Sequence, residues 1–393
     1  MTDRPDPSFA ESRAIIDWLI GPARQSATPE KIVEGLAEWL VGAGVPLLRV
    51  RIGQQVANPL ISAWGVIWNR VDGSETYTVP RGMLATPSYK GSPFERVIET
   101  RQPFHKSLEA LVPGKDHPVL FELAEGGSTD YFALPIHYGD GSFQVSAFSA
   151  SRPGGFSDAD IRLIEHLAPA FGAALEPAAM RHSMASLLEV YLGRGPAERI
   201  GKGAFLRGET TEIDAAVLIT DLRDSTGLSE RLQPDALLER LGAYFEIVVD
   251  AVRAQGGDVL KFVGDGVLAV FPAGAEEGRQ AACLQAARAI ANAFADPAAA
   301  GMRFVAALHV GPVVYGNIGS PDRLDFTVVG PTVNYLSRLE GVAKSLDRRA
   351  VCSKEVAAAL TGEATVSLGH RTLKGFSDQQ EVFELTLPDR PPD

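Results

Sequence analysis

Cysteine is scarce: the 393 residues hold two, Cys283 and Cys352. They stand alone, without the paired spacing of a zinc site or the number needed for a disulfide framework. They read as small buried hydrophobes in a reducing compartment. Basic residues are also short, 37 Lys and Arg against 49 Asp and Glu, for a formal net charge of −12. That deficit argues against a nucleic-acid partner, which needs a basic face. No apolar run approaches the ~18 residues needed to span a bilayer. The opening Met1-Thr2-Asp3-Arg4-Pro5-Asp6-Pro7 has no basic-then-apolar leader. The expectation is a cytoplasmic protein with no membrane span. What is present, 45% hydrophobic and 22% charged residues, is ordinary for a globular chain, and the length predicts two or three domains.

The first residues, to about Ser8, are polar and proline-rich and predict a disordered tail. Apolar spacing over Phe9 to Leu19 predicts a helix. Thr28-Pro29-Glu30 opens another, with Thr28 as cap, which Gly42 to Gly44 stops. Leu47 to Ile52 and Ala63 to Trp68 read as strands. Ser92-Pro93-Phe94 starts a short helix. Asp130 to His137 and Ser142 to Ser149 flank Gly139-Asp140-Gly141 as a hairpin. Ser157-Asp158-Ala159-Asp160 has the form of a capping box before a helix with apolar residues at Ile161, Ile164, Ala168, Phe171 and Leu175. His105 and His137 lack zinc spacing and read as surface or satisfied histidines; Trp39, Trp64 and Trp68 read as core. This is an α+β unit. Helical spacing continues toward Ile200, with a break or kink expected at Pro177, and Gly193, Gly195, Gly201, Gly203 and Gly208 then predict loops.

The chemistry gathers in the second half. Ala216-Val217-Leu218-Ile219-Thr220 is a buried-strand run that ends in Asp221. Lys261-Phe262-Val263-Gly264-Asp265-Gly266-Val267 has the composition of a tight hairpin with Asp265 at its tip. Two strand-end carboxylates that meet can hold Mg²⁺ on a nucleoside triphosphate. The loop after Asp221 offers backbone N–H groups, and Ser225 and Thr226 offer hydroxyls, to phosphate oxygens. A helix with Pro234 near its first turn and another from about Glu276 to Phe294 follow. Phe304 to Leu308 and Val313 to Ile318 are predicted as separate strands around Gly311-Pro312, and Leu324 to Val329 pairs after a turn. Pro331 and Thr332 open a helix that carries Asn334 and Arg338 on one face, an amide and a guanidinium suited to a phosphoryl transition state.

Two resemblances follow from these residues. Glu95 to Pro103 and Arg152-Pro153-Gly154-Gly155-Phe156-Ser157-Asp158-Ala159-Asp160 resemble the middle helix and the end of a GAF domain, over about Thr28 to Leu175. This resemblance implies a regulatory module of a family that commonly binds small molecules or forms dimers, and it implies no particular ligand. The ordered set from Ile213 to Leu387 resembles the class III nucleotidyl cyclase catalytic domain. That resemblance implies an α/β sandwich with a ferredoxin-like core around a mixed, mostly antiparallel sheet. It implies Asp221, Leu222 and Asp265 as the holders of two Mg²⁺ or Mn²⁺, and Lys261 and Thr327 as readers of the purine. It implies Asn334 and Arg338 at the transition state, Lys374 at the triphosphate, and a homodimer whose sites each draw on both subunits. Two positions depart from the pattern: Val305 stands where many members have arginine, and Phe376 where many have a second lysine.

The expected organisation is a tail and helix over 1–27, a GAF-like sensor over 28–176, a helical connector over 177–211, a cyclase domain over 212–387 and a tail over 388–393. A lysine donor can meet a ring nitrogen of adenine, and a threonine hydroxyl can accept from its exocyclic amine. The implied reaction is therefore ATP to 3′,5′-cyclic AMP and pyrophosphate. The rivals are a guanylate cyclase, which Lys261 disfavours, and a catalytically silent nucleotide-binding regulator of the same fold. A diguanylate cyclase is weaker still, since Gly256-Gly257-Asp258 continues as Val259-Leu260 rather than with an acidic-aromatic pair.

Overall fold

The computed structural model describes residues 9–56, 58–275, 278–360 and 365–386, apart from the side chains of Phe9, Ala10, Glu11 and Thr226. The two predicted tails and the predicted helix start at Glu276 lie outside the described residues. The chain divides into two compact units, Met1–Val190 and Tyr191–Asp393.

In the first unit, α1 (Phe9–Trp18) runs through a π-turn at Leu19–Ala23 into α2 (Arg24–Ser26) and is followed by α3 (Pro29–Gly42). Then come β1 (Leu47–Gln55), β2 (Ile61–Asn69), β3 (Gly73–Pro80), α4 (Pro93–Thr100), β4 (Phe104–Ser107), α5 (Pro118–Glu125), β5 (Asp130–His137), β6 (Phe143–Ala150) and α6 (Asp158–Leu192). The strands form one six-stranded antiparallel sheet, order β3-β2-β1-β6-β5-β4. Strand alternation sends Val50, Ile52, Trp64, Val66 and Phe148 into a core with α3 and α6, and Tyr131, Ala133, Val145 and Ala147 into a smaller core with α4 and α5.

The capping signals behave as expected: Thr28 caps α3, and at α6 the Ser157 amide donates to Asp160 at 2.8 Å while the Asp160 amide donates to Ser157 Oγ at 3.2 Å. α6 does not break at Pro177, because Ala174, Leu175, Ala178 and Ala179 are buried on both sides of it and hold the helix to the core. His105 is satisfied by the buried Asp130 carboxylate at 2.9 Å. Trp64 and Trp68 are core, and Trp39 packs against it. β3, α5 and β4 have no counterpart in the sequence expectations.

The second unit contains α7 (Arg194–Gly201), β7 (Thr210–Leu222), α8 (Ser225–Arg231), α9 (Pro234–Ala254), β8 (Asp258–Val263), β9 (Gly266–Pro272), α10 (Gly278–Ala295) and β10 (Phe304–Gly319). It continues with β11 (Leu324–Val329), α11 (Pro331–Ser345), β12 (Ala350–Ser353), α12 (Lys354–Ala359), β13 (Thr365–Arg371) and β14 (Gln380–Leu385). Its eight strands follow the order β13-β14-β12-β10-β7-β9-β8, with β11 on β10; β10 and β12 are parallel and the other pairs antiparallel. One face packs against α9, α10 and α12 around Tyr244, Phe271 and Phe304; the other packs against α11 around Tyr315, Leu336 and Leu339. Both cysteines are buried, and burial raises their thiols, Cys283 to about 11 and Cys352 to about 12.

Two sequence expectations are corrected here. The predicted pair of strands around Gly311-Pro312 is a single strand, β10. Asp214, opposite Pro312, accepts from the Ala273 amide just after β9, so Pro312 turns away from β7. On that side no strand among the described residues pairs with 309–313, and the Pro312 carbonyl takes the Thr332 hydroxyl at 2.6 Å. A missing N–H is tolerated at such a gap. The predicted glycine-rich loops after Gly193 include a helix, α7. A Cβ on Gly195 would lie 2.2 Å from the Asp258 carboxylate, whose Oδ1 accepts from the Gly195 amide, so glycine serves close approach there rather than a break.

Candidate active site

Asp221 sits near the end of β7, where the chain leaves a run of fully buried residues, and pairs across the ladder with Gly266 on β9 and Val305 on β10. Gly264 and Asp265 form the two-residue turn between β8 and β9, Gly264 in the left-handed region at φ +63°. The Leu222 amide donates to the Asp265 carbonyl at 3.4 Å, tying the turn to the strand end. Leu222 itself is apolar and core-facing, so it can offer a metal only its main-chain carbonyl.

Two carboxylates are thus brought to one end of the sheet. Asp265 Oδ2 is buried and has no hydrogen-bond partner among the described residues. Burial raises the Asp221 carboxyl above its ordinary value; a hydrogen bond from Lys344 opposes this and the Asp265 charge adds to it. An orphaned carboxylate oxygen beside a like charge is a hard-oxygen donor set that fits a divalent cation. Among the described residues no cluster of three or more His, Cys, Asp or Glu side chains could hold a metal. Further oxygens would have to come from phosphate or water. Lys344, near the end of α11, reaches Asp221 Oδ1 at 2.7 Å and Glu340 at 2.6 Å. The sequence reading missed it, because a lysine in a last helical turn is ordinarily a solvated cation.

After β7, Arg223 and Asp224 turn the chain, Asp224 at φ +61°, and Ser225 opens α8. The Thr226 side chain, expected to help with phosphate, lies outside the described residues. Val305 is buried in the core and supplies no cation. Arg223 and Arg303 instead converge on Asp347, the latter at 3.3 Å, at a cavity of about 320 Å³ that Arg348 and Arg349 also line.

Lys261 on β8 makes an ion pair with Asp325 on β11, a residue absent from the expected set. Asp325 and Thr327 share a strand face by alternation. Thr327 is 4% exposed and its hydroxyl has no partner among the described residues. Lys261 and Thr327 therefore lie around one acidic neighbour.

Asn334 and Arg338 are both exposed on α11, whose other side buries Tyr335, Leu336, Leu339 and Ala343. No hydrogen bond or ion pair among the described residues joins them to Asp221 or Asp265. The helix rise puts Asn334 about 15 Å and Arg338 about 9 Å along the axis from Lys344, the residue that touches Asp221. Lys374 is exposed on the loop between β13 and β14, and Phe376 packs edge-on against Tyr335 at 5.2 Å. His309 is held by Ser353 at 2.8 Å and by the Tyr335 ring. Burial lowers it to about 4, so it stands neutral near pH 7.

Residues 209–386 match the family model described as the adenylate and guanylate cyclase catalytic domain. An uncharacterized protein of Mycobacterium tuberculosis is 37% identical over 45% of this chain and 32% of its own length. Adenylate cyclase 1 of Rhizobium meliloti is 30% identical over 44% and 27%, and adenylate cyclase 2 of the same organism 30% identical over 48% and 56%. The match thus spans about a quarter to a little over half of these relatives' lengths. Among solved structures, the adenylyl cyclase CyaB from P. aeruginosa aligns at 26% identity and a TM-score of 0.41, covering 46% of this chain and 97% of that one. The guanylyl cyclase Cya2 aligns at 27% identity and a TM-score of 0.38, covering 46% and 95%.

Proposed function

We propose, from the premise that residues 209–386 are an adenylate and guanylate cyclase catalytic domain, that this chain converts ATP to 3′,5′-cyclic AMP and pyrophosphate. The observation that carries this reading is the strand-end pair Asp221 and Asp265 with its unpartnered carboxylate oxygen. The two side chains and the Leu222 carbonyl would hold two Mg²⁺ or Mn²⁺. When bound, the cations lower the charge cost at the nucleophile and at the triphosphate. The ribose 3′-oxygen attacks the α-phosphorus, the bond to the bridging oxygen of pyrophosphate breaks, and the 3′ proton leaves to solvent.

Lys261 donates to a ring nitrogen of adenine, and the Thr327 hydroxyl accepts from the exocyclic amine. The buried, unpartnered Thr327 hydroxyl supports this assignment. Asn334 orients the ribose and Arg338 meets the charge that develops on the phosphoryl oxygens. Ser225, Thr226 and Lys374 serve the triphosphate.

The distances along α11 support a dimeric assembly. Asn334 and Arg338 sit about 2.8 and 1.7 turns from Lys344, the residue that touches Asp221, which favours their serving a phosphate held by another copy. A second copy of the chain would supply them, giving a homodimer with two composite sites. Residues 28–176, within the first unit, would act as a GAF-like small-molecule sensor joined through 177–211 to the catalytic region at 212–387, in the cytoplasm where ATP is available. Among the described residues no helix is long and apolar enough to cross a membrane.

The test is a product assay of the full chain with ATP and with GTP, each with Mg²⁺ and with Mn²⁺. Cyclic AMP is the expected main product. Cyclic GMP in excess would assign the guanylate reading, and no product from folded protein would leave the silent regulator.

A further inference from the structure

The first unit holds a cavity of about 410 Å³, partly open to solvent, on the α4 and α5 side of its sheet. Among the described residues three arginines line it, Arg49, Arg51 and Arg81, and no Asp or Glu does. The sequence pattern places them. β1 alternates Val50 and Ile52 toward the main core with Arg49 and Arg51 on the opposite face. Arg49 and Arg51 are each half-buried, and a pair of guanidiniums on a cavity wall without a lining carboxylate among the described residues leaves donors and charge for an anion.

The charges are held in place by their surroundings. Arg81 is committed to the Asn58 carbonyl, at 2.8 and 2.6 Å. Arg51 Nε donates to the Tyr77 hydroxyl at 2.9 Å, and that hydroxyl donates to the Ile52 carbonyl at 2.8 Å. The Arg51 guanidinium lies 4.7 Å from the centres of both the Tyr77 and the Phe94 rings. Two facing glycines make this possible. A Cβ on Gly65 would fall 2.7 Å from the Tyr77 ring, and one on Gly53 2.8 Å from Phe94. With Nε bonded, the terminal nitrogens of Arg51 have no hydrogen-bond partner among the described residues, and neither does Arg49. Burial, and then the charge of Arg51, lower the Arg49 guanidinium from its ordinary value, while Tyr131, Tyr77 and the Glu75 charge oppose this. The rest of the lining is largely apolar, with Val79, Ile98, Val119 and Leu123 among it.

We propose that this cavity binds a small organic anion, its acidic head on Arg49 and Arg51 and its apolar body against Val79, Ile98, Val119 and Leu123. Its volume is that of an ordinary small-molecule site, and the fixed, ring-clamped Arg51 is already oriented for bidentate contact. The inference deepens the sensor part of the function proposed above. It is tested by direct binding, so its failure would leave nucleotide turnover untouched.

The probes are 8-anilinonaphthalene-1-sulfonate and its uncharged counterpart N-phenyl-1-naphthylamine, titrated by fluorescence into the full chain, with 1-naphthoate as competitor. The expected result is one sulfonate site per chain, displaced by 1-naphthoate and about tenfold or more tighter than the uncharged probe. The double variant Arg49→Met, Arg51→Met should lose that preference while still binding the uncharged probe. Equal affinity of the wild-type chain for both probes would overturn the proposal. So would a sulfonate site that 1-naphthoate leaves in place, or one that survives in the double variant. Should the double variant fail to fold, the wild-type comparison decides alone.

Discussion

The two units use charge in opposite ways. The first collects cations in a partly open cavity, clamps one of them between two rings, and finishes the site with its own residues. The second brings two carboxylates to an open strand end, balances one with Lys344, and carries Asn334 and Arg338 further along the same helix. A site finished by its own unit needs only a ligand. On the proposed reading, a site whose complementary groups are spread along one helix would draw on a second copy of that helix.

The contrast can be broken most forcefully at Asp265. Asp265→Ala should lower cyclic-nucleotide formation by on the order of 10³ and leave sulfonate-probe binding in the first unit unchanged. Loss of both would show that the two sites are not independent. Gly65→Ala attacks the other side. Its Cβ would stand 1.9 Å from the Ile52 carbonyl as well as against Tyr77. The first unit should lose at least about 2 kcal/mol of unfolding free energy, measured by denaturant titration, and probe binding should fall with it. A neutral effect would mean the glycine pair is not what shapes the cavity.

His309 gives a pH signature confined to the second unit. Its folded value is lowered to about 4 by burial, so between about 6.5 and 4 the unfolded chain binds a proton that the native one does not. Stability should be fully present above 6.5 and fall by at most about 3 kcal/mol as the pH drops to 4. His309→Gln should flatten that slope in denaturant titrations at pH 7 and 4.5, and an unchanged slope would place the loss elsewhere. The smallest expected effect is at Lys344. Lys344→Met removes a cation that competes for Asp221, so Mn²⁺ affinity measured by calorimetry should rise several-fold, up to about tenfold. A weaker site would mean that Lys344 assists metal binding instead.

Much of the second unit was legible from its residues because its signals are local. A buried run that ends in Asp221, a Gly-Asp-Gly hairpin, and Pro331 before a helix each state where they fall. The signals that went unread are those whose meaning lies in a distant partner. Lys344 and Asp325 look like surface charges until the fold sets them against Asp221 and Lys261. Pro312 looked like a strand break because the gap between the β11 and β12 pairings cannot be seen in one strand's composition. In the first unit, the alternation of Val50 and Ile52 with Arg49 and Arg51 is visible in the sequence. It marks a strand with a charged inner face, but only the folded sheet shows that the cavity on that face has no acid among its described lining residues. β3 was missed because Ser74 to Val79 are largely polar and lie toward the sheet edge.

The claim that one copy of the chain cannot complete a catalytic site is tested most directly by mixing. Asp265→Ala and Arg338→Ala proteins, each inactive alone, are combined in equal amounts and assayed for cyclic AMP. Random pairing of subunits should restore about a quarter of wild-type activity, because half of the dimers would each carry one intact site. A mixture no more active than its separate components, with both variants folded and dimeric, would contradict the shared site.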